Sequence, residues 1–133
     1  MKIEFIVPGP LMGYHQTTRK SMFHPKEREK SKAYGRFKNT VLLLSMEAGA
    51  PNIGTATKEM AARLSVEVFW KEEPRLDWKN VYGCLEDSVF YEQDRYVRPG
   101  IYSDVHCNTG REEAKVIIET DTKKTGSGVR GNK

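Results

Sequence analysis

The sequence predicts an α+β domain, a mixed sheet of about four strands with two helices covering one side. Three observations lead there. Ala62 to Lys71 alternates apolar and polar residues with period two, the signature of a half-buried strand. Tyr34, Phe37, Val41, Leu44 and Ala48 recur at helical spacing. Clusters of Pro and Gly separate these periodic segments. The 133 residues suit one domain, long enough to bury a core without disulfides or a structural metal.

Each element has its own reason. In Lys2 to Val7, Ile3, Phe5 and Val7 share a side, and Pro8-Gly9-Pro10 ends the strand. Residues 11–25 are polar and irregular, so they form a loop. A helix then runs from Pro25 or Ser31 to Ala48, with Pro25 suited to its first turn and Gly49 to its stop. Residues 50–56 form another loop. In the second strand Leu64, Val66, Val68 and Trp70 point one way, Arg63, Ser65, Glu67 and Phe69 the other, and Glu72-Glu73-Pro74 ends it. Trp78 to Val89 forms a short helix with a stripe of Val81, Cys84, Leu85, Ser88 and Val89. Asp77 is its N-cap, and Gly83 weakens it by about 1 kcal/mol relative to Ala. Pro99 makes Val97 to Tyr102 an edge strand. Ala114 to Thr120 is the last strand and is expected to form a hairpin with it. Residues 1–121 make the domain; 122–133, rich in Gly and Lys without apolar anchors, are expected to be a disordered tail.

No apolar run approaches the roughly 20 residues of a membrane helix. The N-terminus enters a strand pattern at once, without a signal-peptide layout. Cys84 and Cys107 form no C-x-x-C pair, and Cys107 with His106 and a distant His15 or His24 matches no zinc spacing. These features suggest a cytoplasmic protein with reduced thiols. The excess of 22 Lys and Arg over 18 Asp and Glu is mild, but residues 19–38 are strongly basic: Arg19, Lys20, Lys26, Arg28, Lys30, Lys32, Arg36 and Lys38 against Glu27 and Glu29. Two readings fit, a solvated helix face with i,i+4 pairs or a surface that contacts phosphates.

The chemistry concentrates between Arg75 and Asp94, where Asp77, Glu86, Asp87, Glu92 and Asp94 fall close together. Hard divalent cations are held by one or two carboxylates with waters and substrate phosphate, and such ions assist phosphodiester hydrolysis. Asp77 before a short helix and Asp94 after it could converge on one ion. Asp87, on the helix, could instead bond a neighbouring backbone group or cation, and Asp77 could serve only as a cap.

The order Pro74-Arg75-Leu76-Asp77-Trp78-Lys79-Asn80, Asp87-Ser88-Val89, Tyr91-Glu92-Gln93-Asp94 resembles the RusA family of Holliday-junction resolvases. Asp77 and Asn80 match the ends of that family's D-x-D-N, Asp87 its helix Asp, and Asp94 the second member of its D-D pair. Ile3 to Gly9 resembles its opening strand, and Phe23-His24-Pro25-Lys26 the lead into its first helix. Three positions depart. Lys79 and Gln93 stand where the family has Asp, and Gly83 where it has Lys. The departures make the site more positive than the family's.

The resemblance implies a homodimeric, bacterial or phage-derived endodeoxyribonuclease that acts on four-way junctions or other branched DNA in recombination and repair. It implies Mg²⁺ or Mn²⁺ held by Asp77 and Asp94, with Asp87 and Lys79 in the catalytic group. DNA contacts are expected from Arg19, Lys20, Lys26, Arg28, Lys32, Arg75 and Lys79, and stacking on bases from Tyr14, Phe23 or Tyr34; the alternative for these aromatics is core packing, which suits Tyr34 better. The replaced carboxylates also permit a protein that binds branched DNA without cutting it, with Lys79 on a phosphate. A basic run that is only a solvated face would mean no DNA affinity at all.

Overall fold

The computed structural model describes residues 1–14, 23–50, 56, 61–90 and 94–120, the side chains of Asp94, Asp104 and Val105 excepted. The elements are β1 (Lys2–Pro8), α1 (Pro25–Glu47), β2 (Ala62–Phe69), α2 (Trp78–Val89), a 3₁₀ turn (Asp94–Tyr96), β3 (Val97–His106) and β4 (Glu113–Thr120). The four strands form one mixed sheet in the order β1-β4-β2-β3.

Strand register turns the period-two pattern into a core. Ile3 lies opposite Ile118 and Ile118 opposite Leu64; Phe5, Val116 and Val66 make the next row, Val7, Ala114 and Val68 the third. All nine share one core with Val41 of α1 and Val81 and Leu85 of α2. Burying each large aliphatic side chain contributes roughly 1.5–3 kcal/mol, so these rows set the register. The opposite sheet face is mostly polar: Glu4 forms ion pairs with Lys2 and Lys115 at 3.3 Å each, and a hydrogen bond of 2.7 Å joins Glu67 Oε2 and His106 Nε2.

Both helices follow their apolar stripes. Tyr34 and Val41 of α1 are buried, and Phe37, Leu44 and Ala48 pack against the core. Gly49, at φ 106°, takes the left-handed conformation that ends α1 without steric cost. On α2 the buried residues are Val81, Cys84, Leu85, Ser88 and Val89, the whole expected stripe.

The expected hairpin of the last two strands is not formed. β3 pairs in parallel with β2, and β4 pairs antiparallel with both β1 and β2. The reason is chemical. β4 puts Ala114, Val116 and Ile118 on the core face and adds one apolar side chain, Ile117, to the charged outer face, and it lies in the sheet interior. β3 carries Pro99, which cannot donate to a ladder, and lies at the edge. Parallel pairing requires a crossover, which α2 supplies. The link from β3 to β4 is then tied to the exit of β2: Trp70 N–H donates to His106 C=O at 2.7 Å and Thr109 N–H to Trp70 C=O at 3.2 Å. Among the described residues no helix is long and apolar enough to cross a membrane. The expected tail, 122–133, lies outside the described residues.

Candidate functional site

The chain leaves β2 at the fully buried Trp70 and reaches Arg75, which anchors the approach to α2. Its guanidinium forks onto Glu112, Nε to Oε1 at 3.1 Å and Nη2 to Oε2 at 2.8 Å, and Nη2 also donates to Leu11 C=O at 2.6 Å. Leu11 N–H donates to the same carboxylate at 2.6 Å. Arg75 holds the Glu112 carboxyl below its ordinary range, helped by the Leu11 N–H and opposed by burial. Glu112 in turn raises the Arg75 guanidinium. This clamp joins three distant segments: the loop after β1, the exit of β2 and the start of β4. Arg75, expected to contact DNA, already serves it.

Two residues on, Asp77 caps α2, its Oδ1 accepting from Lys79 N–H at 2.8 Å. Asp77, Trp78, Lys79 and Asn80 are all exposed. The loop after β1 covers this end of the helix, where Tyr14 N–H donates to Asn80 C=O at 2.9 Å. Asp77 and Lys79 therefore share one solvent-facing helix start.

Asp87 is elsewhere. It pairs with Lys38 of α1 at 2.7 Å and accepts from Tyr34 Oη at 3.3 Å. Ten residues of helix separate it from Asp77, about 15 Å at 1.5 Å per residue. It ties the two helices together, the alternative its sequence position left open. Tyr34 is buried, as its core reading requires, and Tyr14 meets it edge-on at 6.1 Å.

Asp94 opens the turn into β3, whose first residue, Val97, lies opposite Ala62 at the start of β2. Asp77 instead follows the end of β2. The backbones of Asp77 and Asp94 thus stand at opposite ends of α2, whose 12 residues span about 18 Å. Tyr91, Glu92 and Gln93 lie outside the described residues, as do Arg19 and Lys20. Among the described residues no three His, Cys, Asp or Glu side chains group to hold a metal ion. Asp77 itself, an exposed carboxylate with one oxygen on a backbone N–H, fits a hard cation that takes one carboxylate plus waters and phosphate.

Lys26, Arg28 and Lys32 are exposed on the first turns of α1, with Lys32 only 4.0 Å from Glu29, a loose i,i+3 pair. Sequence reasoning missed two features. One is Glu112, which follows Arg111 and looks like ordinary surface charge. The other is a cleft of about 730 Å³ between α2 and β3, lined by Trp78, Lys79, Tyr82 and Tyr102 among others. The parallel pairing of β3 creates it, so the expected hairpin concealed it. No protein-family model matches the chain, and no curated protein is similar to it.

Proposed function

We propose that this protein is a RusA-like resolvase, a Mg²⁺- or Mn²⁺-dependent endodeoxyribonuclease that acts as a homodimer on four-way junctions and other branched DNA. The observation that carries the reading is the exposed Asp77 at the start of α2, flanked by Arg75, Lys79 and Asn80 in the order that resembles the family. Asp77 and Asp94 would hold the ion. Because α2 separates their backbones by about 18 Å in one chain, an ion shared by both would require one from each subunit of the proposed dimer. The bound ion would polarise the scissile phosphate and stabilise the leaving oxygen. Lys79 neutralises phosphate charge beside it, and Lys26, Arg28 and Lys32, with Arg19 and Lys20, hold the arms without reading sequence. A two-fold dimer presents the same site twice, which suits paired nicks.

A second reading, binding without cleavage, has its own support. One oxygen of Asp77 is engaged by Lys79 N–H, Asp87 is engaged by Lys38, and Lys79 replaces an expected carboxylate. One assay separates the two. A synthetic four-way junction is incubated with the protein and Mg²⁺ or Mn²⁺, beside Asp77→Asn. Symmetric nicks lost in Asp77→Asn establish the nuclease. Tight, salt-sensitive junction binding in EDTA without nicks under either metal establishes the binder. Equal affinity for junction and plain duplex sinks both.

A further inference from the structure

The α2–β3 cleft shares Lys79 with the proposed chemistry, but its aromatic lining has no part in it. Its lining joins a cation and an aromatic face: Lys79 with Trp78, Tyr82 and Tyr102. Trp78 is 49% exposed, a large apolar surface left in water. Tyr102 backs its indole, ring centroids 5.6 Å apart at 44°. Tyr82 is fixed from below, its hydroxyl donating to Leu64 C=O at 2.9 Å. Gly83 and Gly100 also line the cleft. At Gly100 a Cβ would run into Ser65 Oγ and the Leu64 carbonyl, so the close packing of β3 on β2 requires glycine at this point of the lining. The volume of about 730 Å³ lies within the roughly 300–1,000 Å³ typical of small-ligand clefts.

Lys79 and Glu86 both line the cleft two helical turns apart, about 10 Å along the axis. The positive end favours an anion and the negative end rejects a second one. A nucleotide has this polarity, with a π-face to lie on an indole and a single phosphate to meet an ammonium. An apolar peptide would leave Lys79 unused, and a bare phosphate would leave Trp78 unused.

We infer that this cleft receives one unstacked nucleobase of a DNA strand, with the base on Trp78 and its phosphate at Lys79. The choice of DNA rests on the proposed function and deepens it: the recognised feature is an unpaired base, such as one splayed out at a branch point. Stacking tolerates any base, so the cleft adds affinity for opened strands without sequence preference.

Intrinsic fluorescence tests this, because the chain has two tryptophans and Trp70 is fully buried. A short single-stranded deoxyoligonucleotide is expected to quench Trp78 emission and shield it from acrylamide, while an abasic strand of equal length does neither. Trp78→Ala is expected to weaken oligonucleotide binding about 10-fold, and Trp78→Phe to restore most of it. Equal quenching by the abasic strand, no acrylamide protection in the parent protein, or full affinity in a folded Trp78→Ala overturns the inference. The acrylamide measurement needs no variant and stands even if Trp78→Ala does not fold. Junction preference is read separately. Equal junction and duplex affinity with quenching intact removes the resolvase reading and keeps the cleft; junction preference without quenching removes the cleft alone.

Discussion

Glu112 is where one substitution should reach both stability and site geometry. Its carboxylate accepts from Leu11 N–H at 2.6 Å and from Arg75 at 2.8 and 3.1 Å. The Arg75 side chain is half exposed, so that ion pair contributes at most about 1 kcal/mol after solvent screening. A hydrogen bond from a partly buried N–H to a charged oxygen is worth roughly 1.5–3 kcal/mol. Glu112→Ala should therefore cost about 3 kcal/mol, which for a chain of this size lowers the melting temperature by about 10 °C. Glu112→Gln keeps one acceptor oxygen and loses the charge, so it should fall about midway.

The pH dependence makes the test stricter. Arg75 lowers the folded pKa of Glu112 below the ordinary carboxyl value of 4.5. A depressed carboxyl stabilises the fold above its unfolded pKa and loses that contribution as pH falls through the folded value. The gap between parent and Glu112→Gln should thus be full at neutral pH and close in acid. Circular dichroism melts across this range measure it. A gap as large at about pH 3 as at about pH 7, or Glu112→Ala melting within about 2 °C of the parent at neutral pH, refutes the reasoning.

Three further expectations follow from other contacts. Removing Lys38 from Asp87 should loosen the α1–α2 seam, and a double-mutant cycle of Lys38→Met and Asp87→Asn in urea should give a coupling of about 1 kcal/mol. Burial pushes the Cys84 thiol up to about 11, whereas Cys107 is partly exposed, so native protein at mildly alkaline pH should show one fast thiol with Ellman's reagent and a second only on unfolding. Gly100→Ala should destabilise by about 2 kcal/mol or more in chemical denaturation, because the new methyl meets the Leu64 carbonyl and the backbone must shift.

Local pattern settled a large share of this fold. The α2 stripe and the inward row of β2 come from side-chain spacing alone, because a helix and a strand each bury one repeating face. Asp77 as N-cap was equally legible, since a short carboxylate before a helix meets its free N–H groups whatever surrounds it. Such features depend on neighbours a few residues away. The 3₁₀ turn at Asp94 and the extension of β3 to His106 left no such trace.

Strand partnership and the far ends of ion pairs were decided by tertiary structure. The acids from Asp77 to Asp94 are adjacent in sequence, yet α2 is rigid and carries them apart: Asp77 to an open helix start, Asp87 against α1, Asp94 beyond the far end. β4 entered the sheet interior between β1 and β2, which left β3, with its Pro99, at the edge and opened the cleft beside Trp78. The sequence by itself determined which side chains turn inward and which residues carry charge, because those follow from backbone periodicity. Only the fold determined that Glu112 meets Arg75 and that Lys79 shares a cleft with Tyr102, because contacts across a sheet depend on strand order and register, which no short stretch of chain encodes.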